Sequence, residues 1–373
     1  VIVSEHNAIE DRPSAERRAR TAMPRVLVVG VGGIGGVLCA HVARARSEQL
    51  SALVALSTND EIMRSIERDG MRVRGSGEPF VARATVVREL SKTDPPFDLV
   101  LLATQPPQVE EAARRALPFL ADDGAMVCLQ NGLCERRIER IAGPNRVLGA
   151  VVAWGASMLE PGVYERTSQG GFTLGRADGR VDDPRLASLA SILDAVGPVK
   201  LTGNLAGVRW SKLAINSAIS TLGTIGGDRL GPLLRRSIVR RLALEIMSET
   251  VDVARAERVQ LEKVAGTLDL DWLALTPSER RGAYSIALKH ALLIAVGAKF
   301  RRMRSSMLSA IERGRVPAVD FLNGEVVSHG AERGVATPVN ALATARVHAL
   351  ARGEARPGPD QLDALARDAG LLR

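Results

Sequence analysis

Two groups of residues have types and spacings suited to chemistry. Gly30, Gly32 and Gly35 form a G-x-G-x-x-G within Arg25-Val-Leu-Val-Val-Gly30-Val-Gly32-Gly-Ile-Gly35-Gly36. The stretch follows an apolar, β-branched run and opens an apolar helical pattern over 37–45, so it reads as strand, tight turn, helix. In such a turn the first glycine permits the bend, the second admits a pyrophosphate to the backbone, and the third packs helix on strand. The N–H groups of the helix start then face the phosphates. Gly30, Gly32, Gly33, Ile34 and Gly35 are therefore candidate contacts to a dinucleotide. The plain alternative is a glycine-rich turn that binds nothing.

The second group, Lys212, Asn216 and Ser220, recurs every four residues in Arg209-Trp-Ser-Lys212-Leu-Ala-Ile-Asn216-Ser-Ala-Ile-Ser220. That spacing puts an amine, an amide and a hydroxyl on one helical face, while Leu213, Ile215 and Ile219 serve a core. Two readings stand. One is a solvated helix edge; the other sets the stripe against a nicotinamide, with Lys212 donating a proton to a carbonyl oxygen as hydride reaches the carbon. Farther on, Ser306 suits a substrate carboxylate or an N-cap. Asp320 and Asn323 read, on spacing, as caps of the helical stretch they begin.

These residues need elements to position them. From Arg25 to about Gly203, short apolar runs alternate with helical periods, the pattern of a βαβ sheet. Residues 53–56 read as the second strand, and Ser57-Thr58-Asn59-Asp60 as the turn where an adenine ribose would lie, with Asp60 suited to a ribose diol. Residues 70–75 and 80–87 read as an antiparallel hairpin. Two buried strands, 97–103 and 125–129, end in Thr104-Gln105 and Gln130-Asn131-Gly132, so both polar loops share a rim with the glycine loop. Beyond Gly203 the sheet pattern stops, and helical patterns run to about Ala351. The expected organisation is a flexible extension (1–23), an α/β dinucleotide-binding domain (24–203), an all-α domain (204–352) and a C-terminal tail (353–373).

Composition bounds the possibilities. The 373 residues are 46% hydrophobic and 25% charged, an ordinary globular balance. The net charge of +8 is spread along the chain with only 3% aromatics, which weighs against a nucleic-acid partner. An acidic small substrate or a nucleotide phosphate suits the excess equally well. Cys39, Cys128 and Cys134 show neither a disulfide framework nor a zinc spacing, and the five histidines show no ligand spacing. No metal is expected, and a reducing cytoplasm is. Lys289 and His290 interrupt the apolar stretch 283–300, so no membrane span is expected.

Taken in order, the motifs resemble the ketopantoate reductase family (2-dehydropantoate 2-reductase). The matching pieces are the glycine loop, Gln130-Asn-Gly132, Trp210-x-Lys212-Leu-x-x-Asn216, Ser306-Met-Leu308, Asp320-x-x-Asn323-Gly324 and Gly334-Val-Ala-Thr-Pro338-Val-Asn340. The resemblance implies an N-terminal Rossmann-type domain, an all-α C-terminal domain and an active site between them. It implies reduction of a 2-oxo acid, ketopantoate or a related carbonyl compound, to the 2-hydroxy acid, as in pantothenate biosynthesis, with NADPH as reductant. Lys212 becomes the general acid, Asn131 lies near nicotinamide and substrate, and Asn216, Ser220 and Ser306 hold the substrate. A cytoplasmic location is expected from the cysteine usage, and a homodimer through the helical domain is one assembly left open.

The chain departs from that family's pattern in ways that bear on substrate and cofactor. Ala318 stands where the family has a glutamate, and Ser220 where it has a second asparagine. Ser57 to Asp60 replace an arginine that clamps a 2′-phosphate, and Gln105 replaces a lysine. Ser57, Asn59 and Gln105 remain as cofactor contacts, Arg64 lies one turn into the next helix, and NADPH and NADH are both open. The segment 262–304 is longer than the family needs; covering the cleft, forming a dimer face and ordinary packing are the roles open to it. The same losses motivate an alternative function, a non-catalytic nucleotide-binding protein.

Overall fold

The alternating pattern builds one large sheet and a small one. In the computed structural model, which describes residues 23–45, 49–264 and 266–372, the extension read over 1–23 lies, apart from Met23, outside the described residues. The chain runs β1 (Arg25–Val29), α1 (Gly33–Arg44), β2 (Ala52–Leu56), α2 (Asp60–Asp69), β3 (Met71–Gly75), β4 (Phe80–Ala82), β5 (Thr85–Val87), β6 (Phe97–Leu102), α3 (Val109–Ala116), β7 (Leu120–Cys128), α4 (Glu135–Ala142) and β8 (Val147–Val152). It continues as β9 (Ala156–Glu160), β10 (Val163–Arg166), β11 (Phe172–Gly175), α5 (Pro184–Asp194) and β12 (Val199–Thr202). The large sheet has the order β12-β11-β8-β7-β6-β1-β2-β5, parallel throughout except where β8 meets β11.

β1 sits centrally because Val26 to Val29 are apolar on both faces and can be covered twice. One face packs on α1 and α5, the other on α3 and α4. The small sheet, β4-β3-β10-β9, lies over α1.

The hairpin read over 70–75 and 80–87 is only half formed. β4 pairs antiparallel with β3, but Thr85 to Val87 cross to the edge of the large sheet and pair in parallel with β2. Alternation of apolar and polar residues says nothing about which sheet a strand joins, so the break near Arg83 left no mark in the pattern.

The second half is helical: α6 (Leu205–Gly226), α7 (Leu230–Arg235), α8 (Ser237–Ala256), α9 (Leu270–Leu273), α10 (Pro277–Arg280), α11 (Ile286–Lys299), α12 (Ser306–Glu312), α13 (Asn323–Arg333), α14 (Pro338–Ala351) and α15 (Pro359–Asp368). α6 packs along α8 and is flanked by α14 and α15. The segment read as a tail ends in α15, whose Leu362, Leu365 and Ala366 are buried in this helical core. Asn323 Nδ2 donates to Ser217 O at 3.1 Å and to Asn340 Oδ1 at 2.9 Å, and its Oδ1 accepts from Thr221 Oγ1. This buried network braces the back of α6.

One buried cation joins the two halves. Arg209, at the start of α6, donates to Glu135 Oε1 at 2.6 Å, to Gln130 O at 2.6 Å and to Cys128 O at 2.8 Å. Its partners form the end of β7 and the first turn of α4, so the guanidinium fixes α6 against the carboxyl edge of the sheet. Removing one member leaves an uncompensated buried charge, which costs about 3–5 kcal/mol. Glu135→Ala is therefore expected to lower unfolding stability by about that amount in denaturant titration; a loss under about 1 kcal/mol would show that the clamp carries little.

Candidate active site

The carboxyl ends of β1, β2, β6 and β7 face α6 across a cleft of about 2150 Å³. At one end lies the glycine loop. Gly30 turns the chain at φ +95°, a conformation side chains resist, and a Cβ on Gly35 would lie 1.9 Å from Gly30 O. Gly35 thus sits beneath the loop, whereas Gly30, Gly32, Gly33 and Ile34 line the cleft. A Cβ on Gly32 would meet nothing within 4 Å, so only open cleft lies beyond its α-carbon. α1 has no side-chain cap and no acidic residue in its first turn, leaving its N–H groups to an external acceptor. Tyr164 Oη donates to Val31 O at 3.0 Å and holds the loop from below. The cradle fits a dinucleotide pyrophosphate.

Ser57, Thr58, Asn59 and Gln105 line the adjoining wall. Asn59 Oδ1 accepts from the Ile62 N–H at 3.0 Å and so caps α2. Asp60 does not face a ribose: its carboxylate pairs with Arg88 at 2.9 Å, outside the cleft lining. Arg64 is exposed and also outside the lining. The cation at this end is instead Arg115 of α3, which makes no ion pair among the described residues.

The polar stripe of α6 forms the opposite wall. Lys212, Asn216 and Ser220 all line the cleft and are partly exposed, spanning about 12 Å along the helix. Lys212 Nζ donates to Val152 O at 2.7 Å, leaving its other valences toward the cleft. Burial first, and then the neighbouring Arg209 charge, push its ammonium down to about 7. Asn131 stands across the cleft at the end of β7.

Ser306 is not an N-cap. Ser305 takes that role, its Oγ accepting from the Leu308 N–H at 3.3 Å and donating to Ser220 O at 2.9 Å. Ser306 is left exposed on the cleft wall. Nor do Asp320 and Asn323 act as caps: Asp320 pairs with His348 at 2.8 Å, and Asn323 is wholly buried behind α6. Ala318 begins a short 3₁₀ turn and does not line the cleft.

Several contributors had no signal of their own in the sequence. Arg209 and Glu135 are 74 residues apart, and Val152 contributes only a carbonyl. The long segment 262–304 lines the cleft through Lys263, Val264 and residues 299–304, while Leu270, Leu273 and Leu293 join the helical core. Glu257, His329 and Glu332 also converge, away from the cleft, with Glu257 already paired to Arg333 and His329.

Family models for ketopantoate reductase PanE/ApbA and for its C-terminal part match residues 26–179 and 204–351. The chain belongs to the ketopantoate reductase family. These are NAD(P)H-dependent reductases of 2-oxo acids. The chain is similar to 2-dehydropantoate 2-reductase of Pyrococcus horikoshii, 24% identical over 87% of this chain and 97% of the relative. It is similar to that of Aquifex aeolicus, 25% identical over 87% and 96%. Its fold is similar to a PanE/ApbA family ketopantoate reductase from Ralstonia eutropha, with TM-score 0.72, 24% identity and coverage of 88% and 99%. D-mandelate dehydrogenase, solved with NADH and anilino(oxo)acetate, is similar at TM-score 0.73, with 21% identity and coverage of 91% and 99%. Among the described residues, no helix is long and apolar enough to cross a membrane.

The open space at Gly32 gives a direct check on the cradle. Gly32 has ordinary backbone angles, so Gly32→Ala is expected to hold stability within about 0.5 kcal/mol. It should weaken NAD(P)H binding by about tenfold or more, read by fluorescence quenching. Unchanged affinity would place the pyrophosphate elsewhere.

Proposed function

We propose that the protein reduces a 2-oxo acid to the 2-hydroxy acid, with Lys212 as general acid. The observation that carries this reading is the placement of Lys212, its Nζ held by Val152 O at 2.7 Å on the wall of the cleft that the glycine loop opens into, where burial also lowers its ammonium. Gly30, Gly32, Gly33 and Ile34 hold the dinucleotide's pyrophosphate, Gly35 shapes their turn, and Ser57, Asn59 and Gln105 meet its ribose end. When bound, the nicotinamide supplies hydride to the carbonyl carbon. Lys212 gives its proton to the carbonyl oxygen, where negative charge develops. Asn131, Asn216 and Ser220 orient the carbonyl side, and Ser306 the carboxylate.

The adenine end favours neither cofactor strongly. Asp60 is drawn out by Arg88, and the adenine end of the lining holds one carboxylate, Glu111, and one cation, Arg115, so neither a ribose diol nor a 2′-phosphate is selected outright. We therefore propose NADPH and NADH as usable alternatives. Ketopantoate itself is within the proposed substrate range, and three buried free thiols suit a cytoplasmic setting.

Reduction needs protonated Lys212. Its rate is expected to be level below about pH 7 and to fall about tenfold per pH unit above, while oxidation of the hydroxy acid rises toward that pH and then levels. Lys212→Ala should lose about 10²-fold or more in kcat with cofactor affinity retained. Steady-state assays of a 2-oxo acid panel with each cofactor check this. Cofactor binding without turnover of any acid would favour the non-catalytic alternative.

A further inference from the structure

The substrate half of the cleft carries far more positive charge than a single carboxylate needs. Beyond Lys212 it is rimmed by Lys263, Lys299, Arg301, Arg302, Arg313 and Arg315, all exposed. None of these six has an ion-pair partner among the described residues. Only Asp228 and Glu262 oppose them on that part of the lining, and Glu262 already accepts from Asn204 at 3.0 Å. Arg304 differs, being paired with Glu312.

The rim has a fixed place relative to the chemistry. The Ala153 to Met158 wall lies between the glycine loop and Lys212: a Cβ on Gly33 would meet Ala156 O, and Lys212 reaches Val152 O. The stripe then runs from Lys212 to Ser220, and Ser305 is tied to Ser220 O. The Arg301–Arg302 strap precedes that anchor and is pinned to α7 by the Leu230 N–H donating to Met303 O at 2.9 Å. Arg313 and Arg315 follow α12 on its other side. Lys299, Arg301, Arg302, Arg313 and Arg315 therefore stand past the lysine, at the end of the cleft away from the glycine loop, where the distal part of a substrate would lie, while Lys263 lies beside Lys212, its neighbour Glu262 donating its N–H to Ser211 Oγ at 3.0 Å. Like charges crowded on one wall repel each other, and an anion between them relieves that cost.

We infer that the preferred substrate is a 2-oxo acid bearing a second anionic group, a carboxylate or a phosphate, at the end remote from the carbonyl. Arginine forks suit either group. The inference rests on the reductase reading and names that site's substrate class.

Matched pairs test it: 2-oxoglutarate against 2-oxopentanoate, and 3-phosphohydroxypyruvate against hydroxypyruvate, each with NADPH or NADH. The dianion of at least one pair is expected to show kcat/KM higher by about tenfold or more, with its KM rising as salt is added. The pair with the larger ratio tells carboxylate from phosphate. In Arg313→Gln/Arg315→Gln that ratio should fall toward one; because both members are measured on the same protein, misfolding cannot mimic the fall. Equal or better use of the monoanion in both pairs, or a ratio unmoved by the substitutions, overturns the inference while the reductase reading stands. No turnover of these four acids while ketopantoate is reduced overturns the inference alone, and no turnover of any acid, ketopantoate included, overturns both.

Discussion

The Arg209 guanidinium is buried between domains, and three groups of the sheet domain satisfy it: Glu135 and the carbonyls of Gln130 and Cys128. A cation so enclosed is stable only while each partner stays in place, which ties the first turn of α6 to the end of β7. Everything chemical in the cleft depends on that contact. Lys212 is one helical turn away, so its position opposite Val152 O and its distance from the glycine loop are set by the same anchor. The anchor also acts through charge, adding to desolvation in lowering the Lys212 ammonium.

From that anchor α6 runs along the cleft as a two-sided element. Its cleft side carries Lys212, Asn216 and Ser220, while Ser217 and Thr221 on the other side enter the network of Asn323 and Asn340. Glu249 completes the network by accepting from Asn340 Nδ2 at 2.7 Å and from the backbone N–H groups of Val339 and Asn340. The motif residues Asn323 and Asn340 therefore serve the site as buried braces that set the rotation of the helix. The same helix face leads to the cationic strap, which Ser305 ties to Ser220 O, so the Lys212 end and the cation-rich end of the cleft are held in register by one helix.

How much of this could be read beforehand depended on whether the information was local. The glycine turn was legible because backbone conformation and close packing demand glycine at fixed offsets, and the stripe because a period of four marks a helix face. Ionic partnerships were not legible. Arg209 looked like any basic residue near a helix start, and Asp60 looked free for a ribose until the fold brought Arg88 beside it. Adjacent serines also could not be told apart: Ser305 rather than Ser306 became the cap, a one-residue difference that frees Ser306 to line the cleft. The crossing of residues 83–84 between sheets was hidden because both sheets accept the same alternation. Beyond Glu262 the sequence left several roles open to the added segment, and packing showed it contributing to both core and cleft.

Burial at the cleft wall, reinforced by the neighbouring Arg209 charge, holds Lys212 near neutrality. The most direct test of this is NMR titration of the Lys212 side chain, labelled with ¹³C and ¹⁵N and assigned with Lys212→Arg, in the intact protein. Deprotonation centred at about pH 7 is the result this account predicts. A Lys212 that stays fully charged to about pH 10, as an unperturbed lysine does, would contradict it.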